Sequence, residues 1–184
     1  APGELNVEMN SILSEFGFPT KFLAPVMKEL DSIYTPNYNK EALKRRDFRD
    51  ITTFTIDPID AKDFDDAISF QIIDKDIFEI GVHIADVGHF VKEKSVIDKE
   101  AFERGNSVYL VDRVIPMLPE KLSNELCSLR PNEDKLTFSV VFKLDINGEI
   151  KDTWFGKTVI HSNQRFAYEQ AQDCLLYTSD AADD

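Results

Sequence analysis

Cysteine is scarce in this sequence: Cys127 and Cys174 are the only two among 184 residues. Two thiols so far apart make neither a disulfide framework nor a zinc pattern. No disulfide partner is expected, and a reducing compartment, the cytoplasm, is the default. No run of about 18 apolar residues occurs, which excludes a membrane-spanning helix of ordinary length. The start, Ala1-Pro2-Gly3-Glu4, has neither a charged leader nor an apolar stretch and does not read as a signal peptide. It also lacks an initiator methionine, so the chain is expected to begin inside a longer protein. Positive charge is in deficit: 21 Lys and Arg face 34 Asp and Glu, for a net charge of -13. A nucleic-acid binder usually shows a basic face, so this balance argues mildly against such a role. Bound divalent cations would cancel part of the deficit, and basic parts of a parent protein can lie elsewhere. Apolar residues are plentiful, at 42% with fourteen Phe, enough for one domain with a real core.

The chain opens with helical spacing. Met9, Ile12, Leu13 and Phe16 fall on one face and Gly17 stops the run. A second short helix is expected from Pro25 to Ile33, with Val26, Leu30 and Ile33 inward. Residues 35 to 46 read as a polar connector. From Thr52 the period becomes two. Ile68, Phe70 and Ile72 alternate with Ser69 and Gln71, and Phe78, Ile80, Val82 and Ile84 alternate with Glu79, Gly81 and His83. Asp74-Lys75-Asp76 reads as the hairpin connection between them. Ser95 starts a helix that Gly105 ends. Pro119 opens another, with Leu118, Leu122, Leu126 and Leu129 at helical spacing and Pro131 closing it. Residues 136 to 146 and 149 to 160 form a hairpin whose Asn147-Gly148 pair favours a type I′ turn. Helices and antiparallel hairpins in separate runs give an α+β fold class.

Between two strand-like stretches lies Thr55-Ile56-Asp57-Pro58-Ile59-Asp60-Ala61-Lys62-Asp63-Phe64-Asp65-Asp66-Ala67. Strand-favouring flanks suit a loop pinned between two strands better than a solvated acidic tail. Like charges gathered there stay ionised together only if cations neutralise them. Carboxylate oxygens select magnesium, manganese or calcium over zinc. A calcium EF-hand needs Gly at its sixth position and Glu at its twelfth. Counted from Asp63 those positions are Ile68 and Asp74, and counted from Asp57 they are Lys62 and Ile68, so that pattern fails. Two divalent ions roughly 4 Å apart are the usual apparatus for cutting phosphodiesters. Spacing alone leaves two readings open: a carboxylate metal site for phosphoryl chemistry, or a solvated acidic turn.

The longer strings add a resemblance. FTIDPIDAKDFDDA (Phe54 to Ala67), GVHIADV (Gly81 to Val87), RGNSVYL (Arg104 to Leu110) and IPMLPEKLSNELCSLRP (Ile115 to Pro131) resemble, in family order, the catalytic domain shared by ribonuclease R and ribonuclease II. The likeness runs from about Arg46 to Asp173 and is strongest to the ribonuclease R branch. It implies a processive, magnesium-dependent 3′-5′ exoribonuclease (manganese a substitute) that hydrolyses single-stranded RNA from its 3′ end to nucleoside 5′-monophosphates. Asp57, Asp63, Asp65 and Asp66 match the family's metal-site aspartates. Asp65 matches the one tied most closely to cleavage, and Asp60 lies outside the quartet. Tyr109 matches an aromatic residue that clamps the 3′-terminal nucleotide, and stacking on a base face tolerates any sequence.

The resemblance divides the chain into a helical connector (1–46), the first part of the catalytic domain (47–173), and a tail (174–184). The tail, CLLYTSDAADD, breaks the preceding pattern and reads as a translated sequencing adapter or a frayed terminus. Family members carry OB-folds on both sides of this domain, and the domain's second half supplies an arginine and further aromatic contacts. The chain alone is therefore expected to cut slowly or not at all. The alternative is an RNA- or metal-binding module without activity. Other residues have weaker claims. His83, Asp86 and His89 resemble a metal trio, but a structural or surface role is favoured for His83. Arg104 and Arg130 suit phosphate no better than they suit salt bridges. Cys127 reads as an inert core thiol.

Overall fold

The computed structural model describes residues 2–111 and 113–180. Its helices are α1 (Pro2–Glu15), α2 (Ala24–Asp31), α3 (Tyr38–Ala42), α4 (Val87–Phe90), α5 (Val96–Arg104) and α6 (Tyr168–Asp180). Its strands are β1 (Arg46–Phe48), β2 (Thr53–Asp57), β3 (Asp66–Asp74), β4 (Ile77–Ala85), β5 (Val108–Tyr109), β6 (Val114–Ile115), β7 (Asp134–Asp145), β8 (Ile150–His161) and β9 (Gln164–Ala167). The chain is mixed α+β and falls into two units, Ala1–Tyr34 with Gly88–Ser123 and Thr35–Val87 with Asn124–Asp184.

The first unit is built mainly of helices. In α1 Met9 and Leu13 are buried while Phe16 stays exposed, and Gly17 takes a positive φ of 69° just beyond the helix end. Pro25 sits in the first turn of α2, where its missing N–H is harmless, and Val26 and Leu30 face inward. At α5 the Ser95 hydroxyl accepts from the Asp98 amide, and the Asp98 carboxylate accepts from the Lys94 amide. Gly105, at φ 74°, ends it. Strands β5 and β6 pair as a small hairpin, Val108 opposite Ile115 and Tyr109 opposite Val114.

The second unit is a curled seven-stranded sheet in the order β1-β8-β7-β4-β3-β2-β9. The central pairings β3–β4, β4–β7 and β7–β8 are antiparallel, while β1 and β9 join the edges in parallel. The sequence reading of residues 35 to 46 as plain connector missed α3, whose Asn37 side chain caps the Lys40 amide, and the start of β1. The hairpin turn also differs from type I′. That turn needs positive φ at both central residues, and of the Asn147-Gly148 pair only Gly148, at φ 79°, has it. The Gly148 amide instead bonds the Asp145 carbonyl, and the Asp145 side chain accepts from the amides of Asn147 and Glu149. The leucine stretch after Pro119 is a wide helical segment, Lys121–Leu126, shorter than its spacing predicts. Leu118, Leu122, Leu126 and Leu129 are all buried.

The sheet buries its polar face. Ser69, Glu79, His83, Thr137, Ser139 and Thr158 are inside, whereas Phe70, Ile72, Ile84, Phe138 and Phe155 on the other face are exposed. Such an interior is tolerable when each group finds a partner. His83 meets Ser139 Oγ at 2.6 Å and Ser69 Oγ at 2.8 Å. The Glu79 carboxylate accepts from Arg46 at 2.6 Å and from Gln71 at 2.7 Å. The Thr158 hydroxyl joins those of Thr137 and Ser139. Gly81 makes room for this network, since a Cβ there would stand 2.4 Å from Ser69 Oγ.

Candidate metal centre

Two sheet strands end at the aspartate loop. β2 delivers Asp57 as its last residue, and β3 begins at Asp66. Parallel pairing with β9, Asp57 opposite Ala167, holds the first end, and antiparallel pairing with β4, Asp66 opposite Ile84, holds the second. Between them the chain has no regular structure apart from a turn in which the Ala61 amide bonds the Pro58 carbonyl at 3.0 Å. Phe64 is buried, 6% exposed, while Asp63 beside it is half-buried and Asp65 is open to solvent. One inward aromatic thus sits between two acids that stay nearer the surface. Asp60 is exposed.

The four carboxylates sense one another. Burial raises Asp57 above the usual carboxylate range, and the charges of Asp66 and Asp63 add to the rise. Asp65 is raised as well, first by the protein packed against its carboxyl and then by Asp63, Asp66 and Asp57 together. Asp57 Oδ2 is buried with no hydrogen-bond partner. A buried, unpartnered carboxylate oxygen among like charges is unfavourable alone and suits a cation. The donors are all hard oxygens, which fit magnesium or manganese rather than zinc. Among the described residues, no three His, Cys, Asp or Glu side chains stand close enough together to chelate an ion as they are. Mutual repulsion is a sufficient physical reason, because carboxylates draw together only around a neutralising charge.

The remaining residues singled out in the sequence fall elsewhere. Tyr109 lies on the β5–β6 hairpin and is 66% exposed. His83 is wholly buried between two serines, and burial pushes its pKa down to about 4. Asp86 is bound to Arg45 at 2.8 Å, and the cations Arg45 and Lys157 outweigh its burial and hold it below the usual range. These engagements exclude the His83–Asp86–His89 metal reading and leave His83 a structural role, not a surface one. Arg104 is taken up within the first unit by Glu100, by the carbonyls of Pro19, Lys21 and Pro116, and by the Phe22 ring. Arg130 pairs with Glu133 at 2.9 Å. Cys127 is buried, and desolvation pushes its thiol up to about 12, as an inert core cysteine requires. Among the described residues, no helix is long and apolar enough to cross a membrane.

Sequence reasoning missed the residues that fasten the loop. Arg165 of β9 donates to the Pro58 and Ile59 carbonyls at 2.6 and 2.8 Å and lies over the Phe64 ring at 5.1 Å. The buried Ser128 hydroxyl accepts from the Phe64 amide at 3.0 Å and donates to the Lys62 carbonyl at 3.2 Å. Ser128 falls inside the string Ile115 to Pro131, but nothing in the local sequence ties either residue to the loop, because their partners lie 64 to 107 residues away.

Comparison with known proteins gives this geometry a context. The family profile described as "RNB domain" matches residues 45–184. DIS3-like exonuclease 2 of Xenopus tropicalis is 47% identical over 178 residues, covering 94% of this chain and 21% of the relative. Ribonuclease R of Aquifex aeolicus is 42% identical over 170 residues, covering 92% of this chain and 24% of the relative. Among solved structures, Mycoplasma genitalium RNase R in complex with ribose methylated single-stranded RNA superposes with a TM-score of 0.85 at 32% identity, covering 94% of this chain and 27% of that one. The chain thus spans about a quarter or less of the length of these proteins.

Proposed function

The chain belongs to the RNB-domain family of ribonucleases, and from that membership we propose that it is the metal-holding part of an exoribonuclease catalytic domain. The parent protein hydrolyses single-stranded RNA processively from the 3′ end to nucleoside 5′-monophosphates, with magnesium, or manganese in its place. The observation that carries this reading is the Asp57–Asp66 loop: four mutually repelling carboxylates held between strands, one with a buried oxygen lacking any partner.

Asp57, Asp63, Asp65 and Asp66 would hold the metal. When bound, the metal supplies charge stabilisation at the scissile phosphate and activates water. Asp57 is the fixed member, buried at the end of β2. Asp65, the solvent-exposed member of the pair flanking Phe64, is the catalytic residue. Tyr109 offers its exposed ring to the terminal base, a contact blind to sequence. The acidic balance of the chain leaves backbone attraction to basic parts elsewhere in the parent. With two cysteines not joined in a disulfide, one of them buried and inert, the protein suits a reducing cytoplasm.

The test uses the full-length parent with single-stranded RNA and magnesium, beside its Asp65→Asn variant. Shortening from the 3′ end to mononucleotides is expected, and near-complete loss in the variant. Equal degradation by both would remove Asp65 from its role. RNA binding without degradation by the intact protein would favour a non-catalytic module.

A further inference from the structure

We propose that Arg165 and Ser128 are positioning residues that fasten the aspartate loop at both flanks and set the spacing of its carboxylates; this rests on reading the loop as the metal site. The loop has almost no internal hydrogen bonding, so its shape must come from outside. Each acid has a fastened neighbour. Arg165 grips the carbonyls of Pro58 and Ile59, the two residues directly after Asp57. Ser128 grips both peptide groups around Asp63, accepting from the Phe64 amide and donating to the Lys62 carbonyl. A hydroxyl is the smallest side-chain group able to do both at once. The Leu129 amide then takes the Phe64 carbonyl at 2.8 Å, and the Ala85 amide takes the Asp65 carbonyl at 3.0 Å. Phe64 locks the arrangement by lying buried beneath the Arg165 guanidinium.

Three distant parts of the second unit, the 128–129 segment, β4 and β9, therefore converge on one short stretch. A loop needing only to avoid unfolding would not require a buried serine on both sides of one aspartate. Groups that orient ligands without touching the metal ordinarily control its affinity by about 10- to 100-fold.

The experiment uses the full-length parent protein and its Ser128→Ala, Arg165→Lys and Asp65→Asn variants. Mn2+ binding is followed by electron paramagnetic resonance, and hydrogen exchange by mass spectrometry over residues 58–65 and, as a reference, over the β7–β8 hairpin. Ser128→Ala keeps packing and loses the hydroxyl; Arg165→Lys keeps the charge and pulls back the one terminal nitrogen that donates to both carbonyls. We expect each to weaken Mn2+ binding about tenfold or more and to speed exchange in 58–65, with the hairpin unchanged. Wild-type exchange in the loop, or faster exchange with undiminished Mn2+ affinity, overturns the proposal. Loss of Mn2+ binding in Asp65→Asn with no effect of the other two overturns the positioning role but leaves the metal site standing. If the wild-type chain takes up no Mn2+, the metal reading fails, and with it the role in setting ligand spacing. Because Ser128 and Arg165 act on opposite flanks, misfolding of one variant leaves the other decisive.

Discussion

Acidifying the solution should destabilise this protein through one imidazole. His83 is fully buried, its two ring nitrogens meet Ser139 and Ser69, and its pKa is pushed from 6.5 down to about 4 by burial and by the Arg46 charge. The sign follows from linkage. In the unfolded chain the imidazole binds a proton near its ordinary pKa, while in the folded protein it resists until about pH 4. Its contribution is therefore complete above pH 6.5 and is lost as the pH falls through about 4. At 1.36 kcal/mol per pH unit the loss amounts to roughly 3 kcal/mol, a sizeable part of the ~5–15 kcal/mol of an ordinary domain. Urea unfolding at a series of pH values between 7.5 and 4 measures it. The raised pKa values of Asp57 and Asp65 act in the opposite direction, so the difference between wild type and His83→Gln isolates the imidazole. The variant is less stable at neutral pH, but its stability should fall less steeply across the window. Parallel curves for the two proteins would refute the account.

Other outcomes follow from the same structure. Arg46→Ala leaves the buried Glu79 carboxylate with Gln71 alone and should cost about 3 kcal/mol in denaturant titration. Ser95→Ala removes the α5 cap and should cost about 1 kcal/mol; a loss below a few tenths would show the cap to be idle. Phe64→Ala empties a buried site and should cost about 3–5 kcal/mol, with the aspartate loop the first segment to open in hydrogen exchange. Tyr109→Ala in the full-length parent should change the length of the limit product while cleavage persists, and an unchanged limit product removes Tyr109 from the 3′-end clamp.

Much of the second unit was legible because period-two alternation is a strong signal. Residues 68–72, 78–84 and 136–145 lie in strands, with Ile146 already in the turn, and the aspartate loop sits between β2 and β3. Which face of those strands is buried was not legible. Alternation shows that Phe70 and Ser69 point opposite ways; it does not say which side the protein encloses. The network around His83 depends on registers between strands distant in sequence, and no local window contains it. The short α3 was hidden because one capping asparagine is a weak cue beside a polar run. The turn at Asn147-Gly148 followed its third and fourth residues only in part, since the Asp145 side chain offered the backbone another set of partners. The quartet of aspartates was visible as composition, but its fasteners were not, because Ser128 and Arg165 act through backbone groups whose identity leaves no trace in sequence.

The polar interior of the curled sheet bears on how its strands find their places. Sliding β4 by one residue against β3 and β7 would turn Ile80 and Val82 inward and throw Glu79 and His83 outward. Hydrophobic attraction alone would reward that slip. The matched hydroxyls, imidazole and carboxylate forbid it, since misalignment strands each of them among greasy neighbours. In this protein the correct strand alignment is chosen by complementary hydrogen bonding, and erasing Ser69, His83 and Ser139 together would leave a chain with several competing alignments of nearly equal energy.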